Sequence, residues 1–228
     1  MQQITLDIGL TIGPTLANFF TGSNAPAYQH FQQAVEGHKA GVALPTVPTY
    51  LWGSSGSGKT HLLQAVRQSL QQQGGAVGWL TASVHEPLDF DPSWVALMLD
   101  EVELYDSLQQ HTAFNWFVNA QTHGCWVLAA GGLPPADLNL REDLRTRLAW
   151  GQVFALLCPS ETERRTVLSQ AAMARGLTLS AEVINFMLNR FSRDLGSLIQ
   201  LLAQLDQYAL QTQRVITIPL IHAMMENS

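Results

Sequence analysis

The chain has 228 residues, of which 46% are hydrophobic and 13% charged, and this composition predicts a globular protein with a sizeable core. Its 12 Lys and Arg residues stand against 18 Asp and Glu, which leaves a net charge of −6 and excludes the basic field of a protein that holds DNA through phosphates. We therefore expect its partners to be proteins. No signal peptide is visible, and the apolar runs fall short of the ~20 residues of a membrane span, so we expect a cytoplasmic protein with no membrane partner.

The two cysteines, Cys125 and Cys158, lie in apolar runs that lack the spacing of metal ligands. Both are expected to be buried, reduced thiols, as is usual in a cytosolic protein. No internal repeat is visible in the sequence.

Residues 3–8 at the N-terminus alternate apolar and polar side chains before Gly9, Gly13 and Pro14 interrupt any regular structure. This pattern is typical of an edge strand or a frayed tail. A short peptide that docks its apolar side chains into a groove of another protein has the same pattern. The residues alone leave both interpretations open.

A phosphate-binding loop follows a short buried strand, predicted from Thr49 to Trp52, and precedes an amphipathic helix, predicted from His61 to Leu70. Glycines let backbone N–H groups curl around a polyphosphate, and the helix adds the positive end of its dipole. Lys59 would reach the β- and γ-phosphates, and Thr60 would hold Mg²⁺. The loop that matches G-x-x-x-x-G-K-[ST] is Gly53-Ser54-Ser55-Gly56-Ser57-Gly58-Lys59-Thr60.

A polar turn around Asn18, Phe19 and Phe20 lies before this motif in the chain. A helix is predicted after the turn, from Ala27 to Val35. In P-loop proteins such a segment can lie beside the adenine base. A loop that merely packs its aromatic rings on the core would have the same sequence, so the turn by itself does not decide.

After a second buried strand, predicted over residues 76–80, a third strand ends in two acids. It is the apolar run from Trp94 to Leu99, which leads directly into Asp100 and Glu101. Asp100 would organise Mg²⁺ through water, and Glu101 would polarise the water that attacks the γ-phosphate. Two acids after an apolar strand are often only a solvated strand end, but a P-loop upstream favours the catalytic interpretation.

The alternation of strands and helices predicts a parallel five-stranded sheet with helices on both faces. After the acids we expect a helix from about Leu108 to Thr122 with Phe114, Phe117 and Val118 in the core. Further strands are predicted over residues 126–130 and 153–157.

Three arginines are concentrated on a short helix predicted over residues 140–148. A solvated face paired with Glu142 and Asp143 is one interpretation. The other is an arginine presented at a subunit edge to a neighbour's nucleotide, where its guanidinium would stabilise transition-state charge.

Beyond Pro159 helices dominate the pattern and predict a lid-like unit. Ser160 and Glu163 form a capping box. Further helices are expected after Ser180, from Arg193 to about Gln211, and from Ile218 onward. Arg193 is a candidate for folding over the phosphates, although a lone arginine at a helix start is usually only solvated.

Taken together, these motifs resemble the AAA+ domain of the bacterial replication initiator DnaA. The resemblance spans nearly all of the chain after residue 14, but we expect the chain to lack the initiator's N-terminal protein-contact domain and its C-terminal helix-turn-helix domain. Its most specific element is the run Gly58-Lys59-Thr60-His61-Leu62-Leu63. Other matching positions are Asn18-Phe19, Gly22, Asn24, the apolar strand that leads into Asp100 and Glu101 (the Walker B motif), the Arg147 helix, Trp150-Gly151 and Arg193-Asp194-Leu195.

Three shorter runs resemble the Hda family, DnaA-like proteins that turn the initiator off. They are Gln3-Ile4-Thr5-Leu6, Leu148-Ala149-Trp150-Gly151-Gln152-Val153 and Ile216-Thr217-Ile218-Pro219.

The resemblance to the Hda family implies roles for particular residues. By this resemblance, Arg147 is the arginine finger that contacts ATP bound on DnaA. Arg193 is the sensor-2 arginine, which folds over the phosphates from the lid. His61, Asn18 and Phe19 join the P-loop as nucleotide-binding positions, with Thr60 and Asp100 at the metal. The peptide that docks on the sliding clamp, the beta subunit of DNA polymerase, would use Gln3, Ile4, Leu6 and Ile8.

One departure from the initiator's pattern concerns hydrolysis. Where DnaA carries polar sensor-1 residues after its fourth strand, this chain has Ala129-Ala130-Gly131, which offers nothing to orient a water. Its own ATPase activity is therefore expected to be weak or absent. The family is understood to work with bound ADP, and the expected cofactors are ADP or ATP with Mg²⁺.

The sequence thus predicts three units: a clamp-binding peptide at 1–14, an AAA+ subdomain at 15–158 and a helical lid at 159–228. As function we predict negative regulation of replication initiation, with DnaA and the clamp as partners and DNA reached only through the clamp. A homo-oligomer is left open. The alternatives are a self-sufficient, DNA-stimulated AAA+ ATPase of helicase-loader type and, less well matched, a P-loop kinase for a small metabolite.

Overall fold

The computed structural model describes residues 13–191 and 195–226. The predicted clamp peptide and Arg193 lie outside these residues. The strands are β1 (Thr49–Trp52), β2 (Ala76–Leu80), β3 (Trp94–Leu99), β4 (Trp126–Gly131) and β5 (Gln152–Ala155). The helices are α1 (Ala25–Lys39), α2 (Lys59–Gln72), α3 (Ser107–Thr122), α4 (Glu142–Ala149), α5 (Glu161–Ala174), α6 (Ala181–Arg190), α7 (Leu195–Thr212) and α8 (Ile218–Glu226).

The five strands form one parallel sheet in the order β2-β3-β4-β1-β5, which confirms the predicted fold class. Strand β1 lies between β4 and β5, with Trp52 opposite Gly131 and Ala155. Because all strands run in the same direction, the loops that follow β1, β3 and β4 meet at one edge of the sheet. The P-loop, the Asp100-Glu101 pair and the Gly131-Gly132 turn therefore belong to one site.

Helices cover both faces of the sheet, and neighbouring strand residues serve opposite cores because side chains alternate along a strand. Tyr50 packs with α3 and α4 on one face, whereas Leu51 packs with α1 and α2 on the other. The prediction for α3 needs a correction. Phe117 is fully buried, but Val118 is exposed and Phe114 only half-buried, because the core face of α3 is set by Ala113, Trp116, Phe117 and Ala120.

The cysteine prediction is right for one residue and wrong for the other. Cys125 is buried, and burial raises the pKa of its thiol to about 12, so it remains protonated. Cys158 is exposed, since it lies beyond β5 in the loop that leads to α5. Its Sγ lies 3.3 Å from the Ser54 hydroxyl and donates to the Ser55 carbonyl at 3.4 Å.

Helices α5 to α8 form a separate core whose centre is fully buried. Helix α5 begins at a capping box: the Ser160 hydroxyl accepts from the Glu163 N–H, and the Ser160 N–H donates to the Glu163 carboxylate. Within the part of the chain that the structure describes, no helix combines the length and hydropathy that crossing a membrane requires. The central residues of this lid core are Leu168, Met187, Leu198, Leu202, Leu205, Leu220 and Ile221.

Candidate nucleotide-binding site

The P-loop connects β1 to α2 and depends on glycines at two crowded positions. Gly58 has φ +97°, and a Cβ there would lie 2.7 Å from the Phe19 ring. A Cβ on Gly53 would lie 2.3 Å from the Leu156 carbonyl oxygen. L-residues rarely adopt positive φ, and neither position has room for a side chain. The loop geometry therefore requires glycine at both ends.

Lys59 and Ser57 line the inside of the loop. The Lys59 ammonium donates to the Gly53 carbonyl at 2.6 Å and to the Ser54 carbonyl at 3.1 Å, so its charge lies at the mouth of the loop. Ser57 is 2% exposed, and its hydroxyl makes no hydrogen bond within the described residues. A buried polar atom without a partner is costly, and one inside this loop fits a phosphate-binding cradle.

Thr60 and Asp100 meet across the site, although they are 40 residues apart in the chain. The Thr60 hydroxyl donates to Asp100 Oδ2 at 2.8 Å, and the Glu101 N–H donates to Oδ1 at 3.1 Å. Burial raises the pKa of the Asp100 carboxyl, and the neighbouring charge of Glu101 adds to this, whereas the bond from Thr60 lowers it. A hydroxyl and a carboxylate so placed suit Mg²⁺, which completes its shell with phosphate oxygens and water.

Glu101 follows with its backbone in the left-handed region, at φ 57° and ψ 41°. A non-glycine residue in this conformation is strained, and such strain is concentrated at functional sites. The Glu101 side chain is exposed beside the buried Asp100. It is therefore available to a water or a phosphate at the end of β3.

The last residue of β4, Gly131, lies where there is no room for a side chain. A Cβ on Gly131 would lie 2.3 Å from the Tyr50 hydroxyl oxygen and 3.0 Å from Glu103 Oε2. Tyr50 donates to the Leu133 carbonyl at 2.7 Å, and burial, followed by the charge of Glu103, raises the pKa of its phenol. The glycine thus makes room for Tyr50, which explains physically why this end of β4 carries no sensor side chain.

The turn at residues 13–24 packs directly on the P-loop side of the molecule. The Phe19 ring contacts Gly58, stacks at 6.1 Å on Tyr28 and lies 5.5 Å from the His61 ring. Burial lowers the pKa of His61, and its neutral ring donates to the Thr15 carbonyl at 3.0 Å. Phe19 and His61 therefore fix the turn against the start of α2.

Asn18 and Asn24 have different tasks in this turn. Asn18 is exposed, and among the described residues its hydrogen bonds are local, to Thr15 and Gly13. Asn24 is buried and exchanges two hydrogen bonds of 2.9 Å with the backbone of Leu157. It joins the turn to the segment that leaves the sheet toward α5, a role that sequence reasoning did not assign. A narrow crevice there borders the P-loop through Cys158, and its other lining residues are Phe20, Gly22, Ser23, Asn24, Leu157, Pro159 and Glu163.

Arg147 lies in the last turn of α4 and folds back onto α3 instead of extending into solvent. Its Nη1 donates to Gln121 Oε1 at 2.7 Å. Its guanidinium lies 5.2 Å from the centre of the Phe114 ring and 5.7 Å from that of Phe117. Sequence reasoning missed Gln121, although its spacing from Phe114 places both on one helix face.

The structure thus brings the P-loop, Asp100, Glu101, Phe19 and His61 together at one edge of the sheet. Arg147 is not among them, because α4 packs against α3. Within the described residues no group of three His, Cys, Asp or Glu forms a ready metal site. Any Mg²⁺ would therefore depend on a nucleotide for most of its ligands.

Comparison with known proteins gives a family match for the lid. Residues 161–225 match the family described as Hda, lid domain. This match covers most of the lid core, α5 through α8.

Comparison with solved structures concerns most of the chain. Domain III of the replication initiation protein DnaA from Thermotoga maritima superimposes with a TM-score of 0.71 at 21% identity, over 93% of this chain and 95% of that one. AMPPCP-bound DnaA from Aquifex aeolicus gives 0.66 at 22% identity, over 87% and 65%. A RuvB mutant from Thermotoga maritima gives 0.60 at 18%, over 93% and 72%. At these identities the likeness shows a shared fold.

Proposed function

We propose that this chain, whose residues 161–225 match the Hda lid domain and whose fold resembles that of DnaA domain III, turns off the replication initiator. In this proposal it holds ADP or ATP with Mg²⁺, docks on the sliding clamp and offers Arg147 to ATP bound on DnaA. The observation that carries the proposal is the Hda lid match on a core with the fold of DnaA domain III.

The nucleotide part of the proposal is supported by the residues of the P-loop. Backbone N–H groups of the loop and Lys59 would bind the phosphates, and the buried Ser57 hydroxyl would gain the partner it lacks within the described residues. Thr60 and Asp100 would hold Mg²⁺, which supplies charge neutralisation at the phosphates. Phe19, which lies against Gly58 and the His61 ring, would lie beside the base.

A regulator rather than a strong ATPase is supported by the end of β4. No side chain fits at Gly131, so the core carries no polar sensor at this position to orient an attacking water. Positioning of the water is a major part of phosphoryl transfer catalysis. We therefore propose that the bound nucleotide is retained and serves to hold the core and the lid in the active arrangement, with Arg193 as the lid's contribution.

The hydrolysis that this protein promotes would occur on the partner. An arginine supplied in trans stabilises the charge that develops on the γ-phosphate, and such fingers raise rates by about 10³ to 10⁵. The partners of Arg147 on α3 are an amide and two phenyl rings, and none of these groups carries a negative charge that would compete with a phosphate. The acidic net charge of −6 agrees with DNA being reached through the clamp.

Phosphate release from ATP-bound DnaA tests the proposal, measured with this protein in the presence and absence of clamp loaded on DNA. We expect the release to accelerate only with the clamp. Arg147→Ala should lower the acceleration at least tenfold and leave nucleotide affinity unchanged, whereas Arg145→Ala, on the same helix, should retain it. Full acceleration by Arg147→Ala would overturn the finger assignment.

The clamp dependence has its own control. Replacement of Gln3 and Leu6 by Ala should abolish clamp binding and the clamp-dependent acceleration without altering the melting temperature. If this double variant bound the clamp as well as the parent protein, the docking role of residues 3–8 would be wrong.

A stand-alone ATPase is favoured by one observation, the intact and strained Glu101 at the end of β3. The same assay separates the two functions. Phosphate released by this chain alone, and increased by single-stranded DNA, would support an ATPase of helicase-loader type and contradict the regulator.

A further inference from the structure

Gln121 on α3 binds the side chain of Arg147, the residue on which the proposed hydrolysis depends. Its Oε1 accepts from Arg147 Nη1 at 2.7 Å, while the guanidinium lies over the rings of Phe114 and Phe117. Phe114, Phe117 and Gln121 follow one another at i, i+3 and i+7, which places them on one face of the helix. This face of α3 therefore forms a cradle for the end of the Arg147 side chain.

The polar partner of Arg147 differs from that of Arg141, the residue that precedes α4 and also lies over the Phe114 ring, at 5.6 Å from its centre. Arg141 is paired with the Asp143 carboxylate at 2.7 Å, so its charge is largely compensated. Gln121 offers only a neutral amide oxygen, and the phenyl faces attract a cation without carrying a net charge. Arg147 is consequently oriented by its neighbours while its positive charge stays available to an anion from outside.

We propose that Gln121 is a positioning residue that orients the Arg147 guanidinium on the face of α3. In this orientation the remaining N–H donors of the guanidinium meet a phosphate on the partner protein. This inference rests on the proposed function, because the phosphate is that of the initiator's ATP. The bond to Gln121 uses one of the five N–H donors of the guanidinium, which leaves the second hydrogen of Nη1, both hydrogens of Nη2 and that of Nε for the phosphate oxygens.

The physical reason for such a residue is pre-organisation. A free arginine side chain has several rotatable bonds, and their ordering at the moment of reaction opposes catalysis. A hydrogen bond and two ring contacts restrict these bonds in advance. Since a misplacement of about 1 Å can cost about a hundredfold in rate, loss of the orientation should reduce the rate of the chemical step more than the strength of docking.

Two substitutions at one position separate orientation from charge. Gln121→Met keeps the length of the side chain but removes the acceptor. Gln121→Glu keeps an acceptor of the same shape and adds a carboxylate that compensates the arginine charge. Gln71→Glu is the matched control, because it adds the same charge on an exposed residue of α2, on the opposite face of the sheet.

The readout is phosphate release from ATP-bound DnaA with clamp on DNA, titrated with each variant. We expect Gln121→Met to lower the maximal rate by about tenfold to a hundredfold, as for loss of one hydrogen bond to a charged group, with the half-saturating concentration changed less than about twofold. Gln121→Glu should lower the maximal rate at least as much, and Gln71→Glu should match the parent protein. A maximal rate equal to that of the parent in Gln121→Met overturns the proposal.

A second measurement does not depend on DnaA. In ¹⁵N-resolved NMR spectra of this protein, Arg147→Ala identifies the Arg147 side-chain signal, which should be displaced by the phenyl rings and should move to the position of a solvated arginine in Gln121→Met. An unmoved signal also overturns the proposal. If Arg147→Ala leaves the stimulation of DnaA hydrolysis unchanged, the arginine-finger assignment is wrong, whatever the NMR signal shows. If only the Gln121 variants leave this stimulation unchanged, the finger assignment is retained and the positioning role is wrong.

Discussion

At the scale of single residues, Asp100 shows how the site opposes the stability of the fold. Its carboxyl is buried and accepts one bond from Thr60 and one from the Glu101 backbone. Burial nevertheless raises its pKa, so the folded state holds the carboxylate at a cost. A charge kept in this way is useful only if a cation or a phosphate-bound metal compensates it, which agrees with the proposed Mg²⁺ site.

The cost should appear as a dependence on pH. With the folded pKa of Asp100 raised above its ordinary value of 3.8, folding takes up a proton, so this group's contribution to stability declines as the pH rises through that range. The free energy of unfolding of Asp100→Asn, relative to the parent protein, should therefore increase between about pH 4 and pH 7. Urea unfolding across this range measures it, with the exposed Asp89→Asn as control. A difference that does not change with pH would contradict a raised pKa.

At the scale of elements, the start of α5 decides where the lid begins. The strand before it ends at Ala155, and the reciprocal bonds between Ser160 and Glu163 satisfy N–H groups that the first helical turn leaves open. The helix that follows carries Leu168 and Ala172 into the lid core. The capping box therefore marks the change from sheet to lid by local chemistry alone.

Ser160→Ala should weaken this start. Loss of an N-cap typically costs about 1 kcal/mol, and we expect that decrease in the free energy of unfolding by urea. Hydrogen exchange should also become faster at the N–H of Glu163, whose bond is lost. The control is Ser169→Ala within α5, where the hydroxyl bonds only to the Arg165 carbonyl of its own helix and alanine should be neutral or slightly stabilising. Equal effects of the two substitutions would show that the cap contributes nothing.

At the scale of the whole molecule, the site depends on segments that are distant in the chain. The turn at residues 13–24 contacts the P-loop through Phe19 and the segment after β5 through Asn24. That segment leads to the lid. A nucleotide in the P-loop would therefore contact the core and lie beside the connection to the lid, and binding should stabilise both.

Lys59→Ala tests this coupling. Saturating ADP with Mg²⁺, at about 100 times its dissociation constant, should stabilise the parent protein by about 2.7 kcal/mol and raise its melting temperature by about 5 to 10 °C. The shift should be lost in Lys59→Ala and retained in Lys39→Ala, an exposed residue at the end of α1. A full shift in Lys59→Ala would mean that the nucleotide binds elsewhere.

The sequence by itself determined the strands, the P-loop, the acids after β3 and the capping box at Ser160, because each depends on residues that are close along the chain. Periodicity, glycine spacing and helix caps are local properties. They were sufficient to predict the parallel sheet, and the likeness to DnaA domain III and the Hda lid match agree with the resemblance found in the motifs.

Only the tertiary structure decided the contacts between distant segments. The Thr60 bond to Asp100, the Tyr50 hydroxyl in the space beside Gly131 and the exposure of Cys158 depend on which elements become neighbours. The same holds for Arg147, whose helix could have presented it to solvent. Its position on Gln121 follows from the packing of α4 against α3, and packing between elements is not encoded in the periodicity of either one.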